Sequence, residues 1–183
     1  MIDLKEVPAR ATSVTRWTGV PLIHHRNTLA EHSFAVSYYA LLIYQQCNLR
    51  NFVDKGDLLH YCMIHDIPEI VTADIPANVK KLVPEIKSLL NKVEDMIYNE
   101  HLAEVNIEPT PTIKFITKAA DYIAILVEYN AEILAGNKSS TLLDAGPVIG
   151  VIYDALNTAH PEADVFVHEL VMCFIKDNFS RVL

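Results

Sequence analysis

Apolar residues return at helical spacing through almost the whole chain, and this periodicity constrains the fold more than any other feature. The few β-branched clusters are too short, and too poorly bounded by turn residues, to argue for a sheet. The expected fold is therefore all-α, a single-domain helical bundle. With 183 residues, 51% of them hydrophobic and only 5 of them glycine, the chain is long enough for one sizeable core and short for two. One domain over residues 1–183 is expected, with no repeat or low-complexity tract to divide it.

Local signals punctuate this pattern. Thr28-Leu29-Ala30-Glu31 matches a capping box and opens a helix running to about Cys47. A second helix is expected from about Asp54 to His65; Pro68 cannot continue a helix interior and forces a break, after which a short turn restarts through Glu69 and Val71. Pro84 starts a long amphipathic helix to about Ala103, and Thr110-Pro111 supplies an N-cap and first-turn proline for a helix ending at Gly136. Pro147 and Pro161 are expected to open the last two helices. Their apolar faces, Val148, Ile152, Leu156 and Val165, Leu170, Phe174, read as core stripes, and no chemistry is expected in that final third.

Charge excludes some partners. Fifteen basic against 23 acidic residues give a net charge of −8, a field that repels nucleic-acid polymers and anionic membranes, so a phosphate ligand needs a local cation. Cys47, Cys62 and Cys173 are odd in number, separated in sequence and set in apolar runs, which fits reduced core thiols and a cytoplasmic location. The N-terminus lacks a basic region followed by an apolar stretch, and no segment reaches the ~18 uncharged apolar residues of a membrane span. The chain is expected to be neither exported nor membrane-bound.

The candidate chemistry lies in the first two thirds. Asp121 sits mid-helix in the otherwise uncharged stretch Ala119 to Leu126, so its carboxylate needs a buried partner or a metal; a salt bridge or cap would serve equally. His65-Asp66 ends an apolar helix, where a terminus lets adjacent side chains converge. His32 stands near the start of the preceding helix. Together, two imidazoles and two carboxylates suit Zn, Co, Mn or Fe and are too nitrogen-rich for Ca or Mg.

In that order, and all on helices, His32, His65-Asp66 and Asp121 resemble the HD superfamily of metal-dependent phosphohydrolases. Further segments narrow the likeness: Arg16-Trp17, Ala30-Glu31-His32-Ser33, His65-Asp66-Ile67-Pro68-Glu69 through Asp74-Ile75-Pro76, and Lys118-Ala119-Ala120-Asp121 through Ala135-Gly136-Asn137. Across roughly residues 14–137 the chain resembles bacterial 5′-deoxynucleotidases and short phage HD enzymes that remove triphosphate from dATP. One departure is Thr18-Gly19-Val20-Pro21 after Arg16-Trp17, where the bacterial enzymes reach proline sooner.

The resemblance implies cleavage of the bond between the 5′ oxygen and the α-phosphate of 2′-deoxynucleotides, on a monophosphate or on a triphosphate such as dATP. It implies a site within about residues 14–125, with His32, His65, Asp66 and Asp121 holding one divalent transition metal (Zn, Co or Mn, or Fe), and a second Mg-like ion beside a triphosphate. Glu69 takes the place of a catalytic carboxylate, against the plainer role of a solvated helix residue. Asp74 takes that of a substrate contact to the 3′ hydroxyl with a part in catalysis, against an N-cap before Pro76. Arg16 is placed to grip phosphate and Trp17 to pack on sugar or base; Lys80 and Lys81, with Lys87, are candidate phosphate contacts or an ordinary solvated face. The remaining histidines, His24 and His25 included, have no comparable pattern. A homo-oligomer in the cytoplasm, or in the host cytoplasm if phage-encoded, is expected from the resemblance. A metal-holding nucleotide sensor is the non-catalytic alternative, against which Glu69 and Asp74 argue.

Overall fold

The computed structural model describes residues 2–76, 79, 83–158 and 162–179. Among them the order is α1 Val7–Ala11, α2 Leu29–Gln46, a 3-10 turn Leu49–Asn51, α3 Lys55–Ile64, α4 Glu69–Thr72, α5 Pro84–His101, α6 Pro111–Leu134, α7 Ser140–Leu143, α8 Ala145–Asn157 and α9 Val165–Phe179. Extended pairing among the described residues is a single bridge between Thr15 and Thr28.

α6 is the axle of the bundle. Phe115, Ile116, Ala119, Ala120, Tyr122, Ile123 and Leu126 are buried around most of its circumference, which is how a helix reads when neighbours cover it on all sides. α2, α3, α8 and α9 pack around it. α2 contributes a stripe of Leu29, His32, Val36, Ala40 and Ile43, whose three- and four-residue spacing keeps one face inward. A smaller apolar cluster of Ile2, Ala11, Leu29, Ile70, Ile97 and Leu102 lies beneath α1, α4 and α5.

The expected caps form. Thr28 Oγ1 accepts from the Glu31 N–H while the Glu31 carboxylate accepts from the Thr28 N–H at 2.7 Å, completing the capping box of α2. Asp54 caps α3 and Thr110 caps α6. α6 ends in a Schellman turn: Asn137 N–H reaches Glu132 O, Gly136 N–H reaches Ile133 O, and Gly136 takes the left-handed φ of 86° that glycine adopts without strain.

Three expectations for the final third are corrected. α8 begins at Ala145, with Pro147 inside its first turn, because the short helix α7 already carries the chain to Asp144; Pro161 lies outside the described residues and α9 begins at Val165. Val165 is 72% exposed, so the inward stripe of α9 starts at Val167 and continues through Val171 and Ile175. Cys62 is buried as expected and Cys47 half-buried, but Cys173 is exposed, since it falls on the opposite side of α9 from that stripe.

A strap of residues 14–28 runs from α1 to α2 and is held along its length. Leu29 N–H donates to Val14 O at 2.8 Å and Arg16 N–H to Asn27 O at 2.9 Å. Its outer part is anchored by buried Glu132 of α6, whose carboxylate accepts from the Ile23 and His24 N–H groups, each at 2.8 Å, and from Asn137 Nδ2 at 2.6 Å. Burial opposes ionisation of Glu132, but these donors outweigh it and hold its pKa below the ordinary 4.5. Glu132→Gln turns an acceptor into a donor that faces other donors, and it is expected to cost roughly 1–3 kcal/mol, read as a lower Tm. Because the folded-state pKa is depressed, this contribution is present above pH 4.5 and lost as pH falls through the folded value, so the deficit of the variant should shrink in acid.

Candidate active site

Three helices and one turn bring the metal candidates together. His32 lies in the first turn of α2 and is fully buried; Asp121 lies at the middle of α6. His65 is the C-cap of α3, and Asp66 begins the turn before Pro68. The turn is fixed by Tyr98 of α5, whose hydroxyl lies 2.8 Å from both the Ile64 and His65 carbonyls, groups that a helix end leaves without an internal partner. The side chains of adjacent residues can therefore converge at this terminus, as the sequence suggested.

The contacts among the four are close and polar. His32 Nε2 stands 3.3 Å from Asp121 Oδ1 and 3.5 Å from Asp66 Oδ2, and His65 Nε2 stands 3.3 Å from the same Asp66 oxygen. His65 Nδ1 lies 2.8 Å from the Cys62 carbonyl, which only accepts, so Nδ1 carries the hydrogen and Nε2 turns a lone pair toward Asp66. Both ring nitrogens of His32, His65 Nε2 and Asp121 Oδ1 are buried without a hydrogen bond. The neutral His32 ring has one N–H for its two buried nitrogens, so at least one lone pair there, with that of His65 Nε2, lies near carboxylate oxygens and calls for a proton or a metal ion. Burial lowers the proton affinity of His32, yet Asp121 and Asp66 overcome it and raise its pKa to about 9, the same demand expressed as a proton.

One donor atom each from His32, His65 and Asp66 lies within 4.8 Å of the others, close enough to share one ion, and Asp121 joins them through His32. The orphaned imidazole nitrogens and mixed N/O donors fit a transition metal. Asp66 and Asp121 are both held well below the usual carboxylate range: burial opposes this, His65, His32 and Arg16 overcome it at Asp66, and Lys118, His32 and Arg16 do so at Asp121.

Beside this cluster opens a cavity of about 670 Å³. Arg16 enters it with Nη1 at 3.3 Å from Asp66 Oδ2 and 3.5 Å from Glu69 Oε2, its own side chain only 12% exposed. Glu69 begins α4 and is 14% exposed at its side chain, which disposes of the solvated-residue alternative. Asp74 lines the cavity after Ala73, a non-glycine residue at φ 59°, a strained turn of the kind found where a following side chain must be aimed. Trp17, Thr18, Gly19 and Val20 line the cavity as well. Lys80 and Lys81 lie outside the described residues, as does the side chain of Lys87.

Several site residues escaped sequence reading. Lys118 lines the cavity with Nζ 2.9 Å from Asp121 Oδ2; its i,i+3 spacing from Asp121 was the available signal. The opposite wall comes from the final third: Thr141, Asp144, Ala145, Val148, Ile149 and Ile152. Val148 and Ile152 therefore form part of the cavity wall, correcting the expectation that this region carries only core. His24 and His25 do not reach the metal candidates; they line a smaller hollow of about 220 Å³ on the other side of Trp17, and His25 stands 3.4 Å from Glu31.

The profile of the YfbR-like family, described as 5′-deoxynucleotidase YfbR-like, matches residues 7–174. A 5′-deoxynucleotidase of Shewanella oneidensis is 29% identical over 146 residues, covering 70% of this chain and 73% of that protein. The 5′-deoxynucleotidase PM0747 of Pasteurella multocida is 26% identical over 144 residues, covering 70% and 73%. Among solved structures, the cyanophage S-2L HD phosphohydrolase DatZ, bound to dA and one catalytic Zn²⁺ ion, superposes with a TM-score of 0.76 at 19% identity, covering 99% of each chain. An HD-domain phosphohydrolase of Listeria innocua gives 0.73 at 17% identity, covering 97% of this chain and 86% of that one. At these identities the structural likeness establishes the all-helical HD fold.

Chelation of the purified protein is expected to lower its Tm and added Zn²⁺ to restore it, because an ion that binds only the folded cluster stabilises it. In Asp66→Asn that difference should vanish; a Zn-dependent Tm of full size in the variant would remove Asp66 from the ligand set.

Proposed function

Because this chain belongs to the YfbR-like 5′-deoxynucleotidase family, and is therefore a deoxynucleotide phosphohydrolase, we propose how its own residues divide that reaction among them. His32, His65, Asp66 and Asp121 hold one divalent transition metal, with Zn, Co and Mn the first candidates and Fe another. The observation that carries this is the set of buried His32 and His65 ring nitrogens and Asp121 Oδ1 without a hydrogen bond, gathered around the Asp66 carboxylate. A bound ion supplies there a water whose pKa falls to about 7 and neutralises charge on the attacked phosphate.

The protein residues do the rest. Arg16, drawn between Asp66 and Glu69, offers a planar fork to the phosphate oxygens. Glu69, largely shielded from solvent beside it, accepts the proton of the attacking water and passes one to the departing 5′ oxygen. Water adds to phosphorus, the bond from phosphorus to the 5′ oxygen breaks, and the products are deoxynucleoside and phosphate. Asp74 accepts from the 3′ hydroxyl, Trp17 bounds the sugar, and the α7–α8 corner bounds the base.

We read the monophosphate as the substrate. The described cations lining the cavity are Arg16 and Lys118, opposite Asp66, Glu69, Asp74, Glu94, Asp121 and Asp144, a balance that suits one phosphate group better than three. A triphosphate such as dATP, cut at the same bond with a second Mg-like ion and with Lys80 and Lys81 on the outer phosphates, is the reading to beat. The same proposal takes the protein as a cytoplasmic homo-oligomer acting on small molecules; no helix among the described residues is long and apolar enough to cross a membrane. Phosphate release from deoxy- and ribonucleoside mono-, di- and triphosphates with Co, Mn, Zn and Mg tests all of this together. Release of inorganic triphosphate from dATP would move the assignment to the longer substrate, and metal-loaded protein that binds nucleotide without turnover would make it a sensor.

Glu69→Ala is expected to fold, keep its metal and bind deoxynucleotide while turnover falls by roughly 10²–10⁴, the effect of losing a positioned proton carrier. Turnover and metal content measured on one preparation check it. A rate within about threefold of the parent with metal bound excludes the role, since that is what a residue uninvolved in the chemistry gives.

A further inference from the structure

Trp17, the only tryptophan in the chain, lines two separate cavities. It lines the main cavity beside Arg16, Gly19 and Val20, and the 220 Å³ hollow together with Asn27 and Glu128. What keeps the ring in place is a single strong side-chain bond: Nε1 donates to Glu128 Oε2 at 2.6 Å. The other oxygen of Glu128 accepts from Asn27 Nδ2 at 2.8 Å, so both carboxylate oxygens are engaged. The backbone beneath the ring is held too. Trp17 sits at φ 57°, which a bulky residue rarely adopts; Arg26 donates to the Trp17 and Arg16 carbonyls and, at 2.8 Å, to Val20 O, tying the corner together.

Glu128 stands seven residues after Asp121 on α6, two turns and about 10 Å along the same face. One helix thus holds Asp121 in the metal cluster at one point and the indole at another. Trp17 follows Arg16 directly, and Arg16 stands against Asp66 and Glu69, where the phosphate is bound. In the reading proposed above, the group attached to that phosphate is the sugar, and Trp17, lining the same cavity, bounds it. Ribose and deoxyribose differ there by one hydroxyl. A wall free to retreat into the hollow behind it would admit that hydroxyl; a wall bonded from behind would not.

Resting on the 5′-phosphohydrolase reading above, we propose that Glu128 is a positioning residue that pins the Trp17 ring as the sugar-side wall and thereby sets discrimination against ribonucleotides. Glu128 acts through Trp17 and touches no reacting atom. Rejection of a single added hydroxyl by such a wall reaches about 10², and it depends on the wall being stiff.

Because Trp17 is the sole tryptophan, its emission reports this contact without interference. In metal-loaded, full-length Glu128→Gln and Glu128→Ala, the emission is expected to shift to the red and become more accessible to acrylamide, with metal content unchanged. The ratio of kcat/KM for dAMP over AMP should fall by about tenfold, carried by a lower KM for AMP. If Glu128→Ala fails to fold, Glu128→Gln and Asn27→Ala keep the test, the latter expected to give a smaller change in the same direction. A red-shifted emission with a ratio within threefold of the parent overturns the proposal, and so does an unchanged emission in Glu128→Gln. Should the parent hydrolyse no deoxynucleotide, the functional reading fails separately, and quenching of Trp17 on titration with dAMP and with AMP still measures the discrimination: equal affinity ratios in parent and variant overturn the proposal there too.

Discussion

A buried meeting of imidazole and carboxylate groups governs this molecule. His32, His65, Asp66 and Asp121 put imidazole nitrogens and carboxylate oxygens within 3.3–3.5 Å at the largely buried edge of the cavity, an arrangement that is costly unless cationic charge enters. The protein sets two further cations at the cluster, Arg16 on Asp66 and Lys118 on Asp121, and these help to lower the carboxylate pKa values while the His32 and His65 nitrogens and Asp121 Oδ1 stay without a hydrogen bond. A divalent metal ion would meet the remaining demand, and the packing of α2, α3 and α6 brings the candidate donors together.

That packing explains the order of the fold. α6 has to be buried on nearly every side for Asp121 to sit in a dry place, and so α2, α3, α8 and α9 are arranged around it. A helix covered in this way also fixes distances along its length. Asp121, Ile125 and Glu128 of α6 meet the metal cluster, the cavity and the tryptophan in turn, and Glu132 anchors the strap beyond. The strap carries Arg16 and Trp17, so its hydrogen bonds to α6 are part of the site although they touch no substrate.

Much of this was legible in advance. Thr28 and Glu31, Asp54, Pro68, Thr110 with Pro111, and Gly136 each mark a helix boundary through a local interaction, and each boundary lies within two residues of its expected place. The metal candidates were named from the order in which His32, His65-Asp66 and Asp121 occur and from the family resemblance, since a lone helix aspartate serves a salt bridge or cap equally well and an adjacent His-Asp pair by itself says little. The final third was misread where a longer-range fact decided. Val148 and Ile152 have the spacing of an inward stripe, and periodicity says which residues share a face, not whether that face meets a core or a cavity.

The chain by itself therefore determined the helical class and most helix ends, because those rest on interactions between residues a few positions apart. Only the tertiary structure decided that His32, Asp66 and Asp121 converge, that the α7–α8 corner closes the cavity, and that Glu128 reaches Trp17 across 111 positions. Contacts of that separation leave no period or motif in the sequence. They exist because burial of the α6 core sets the helices at one mutual arrangement, and residues distant in the chain then meet.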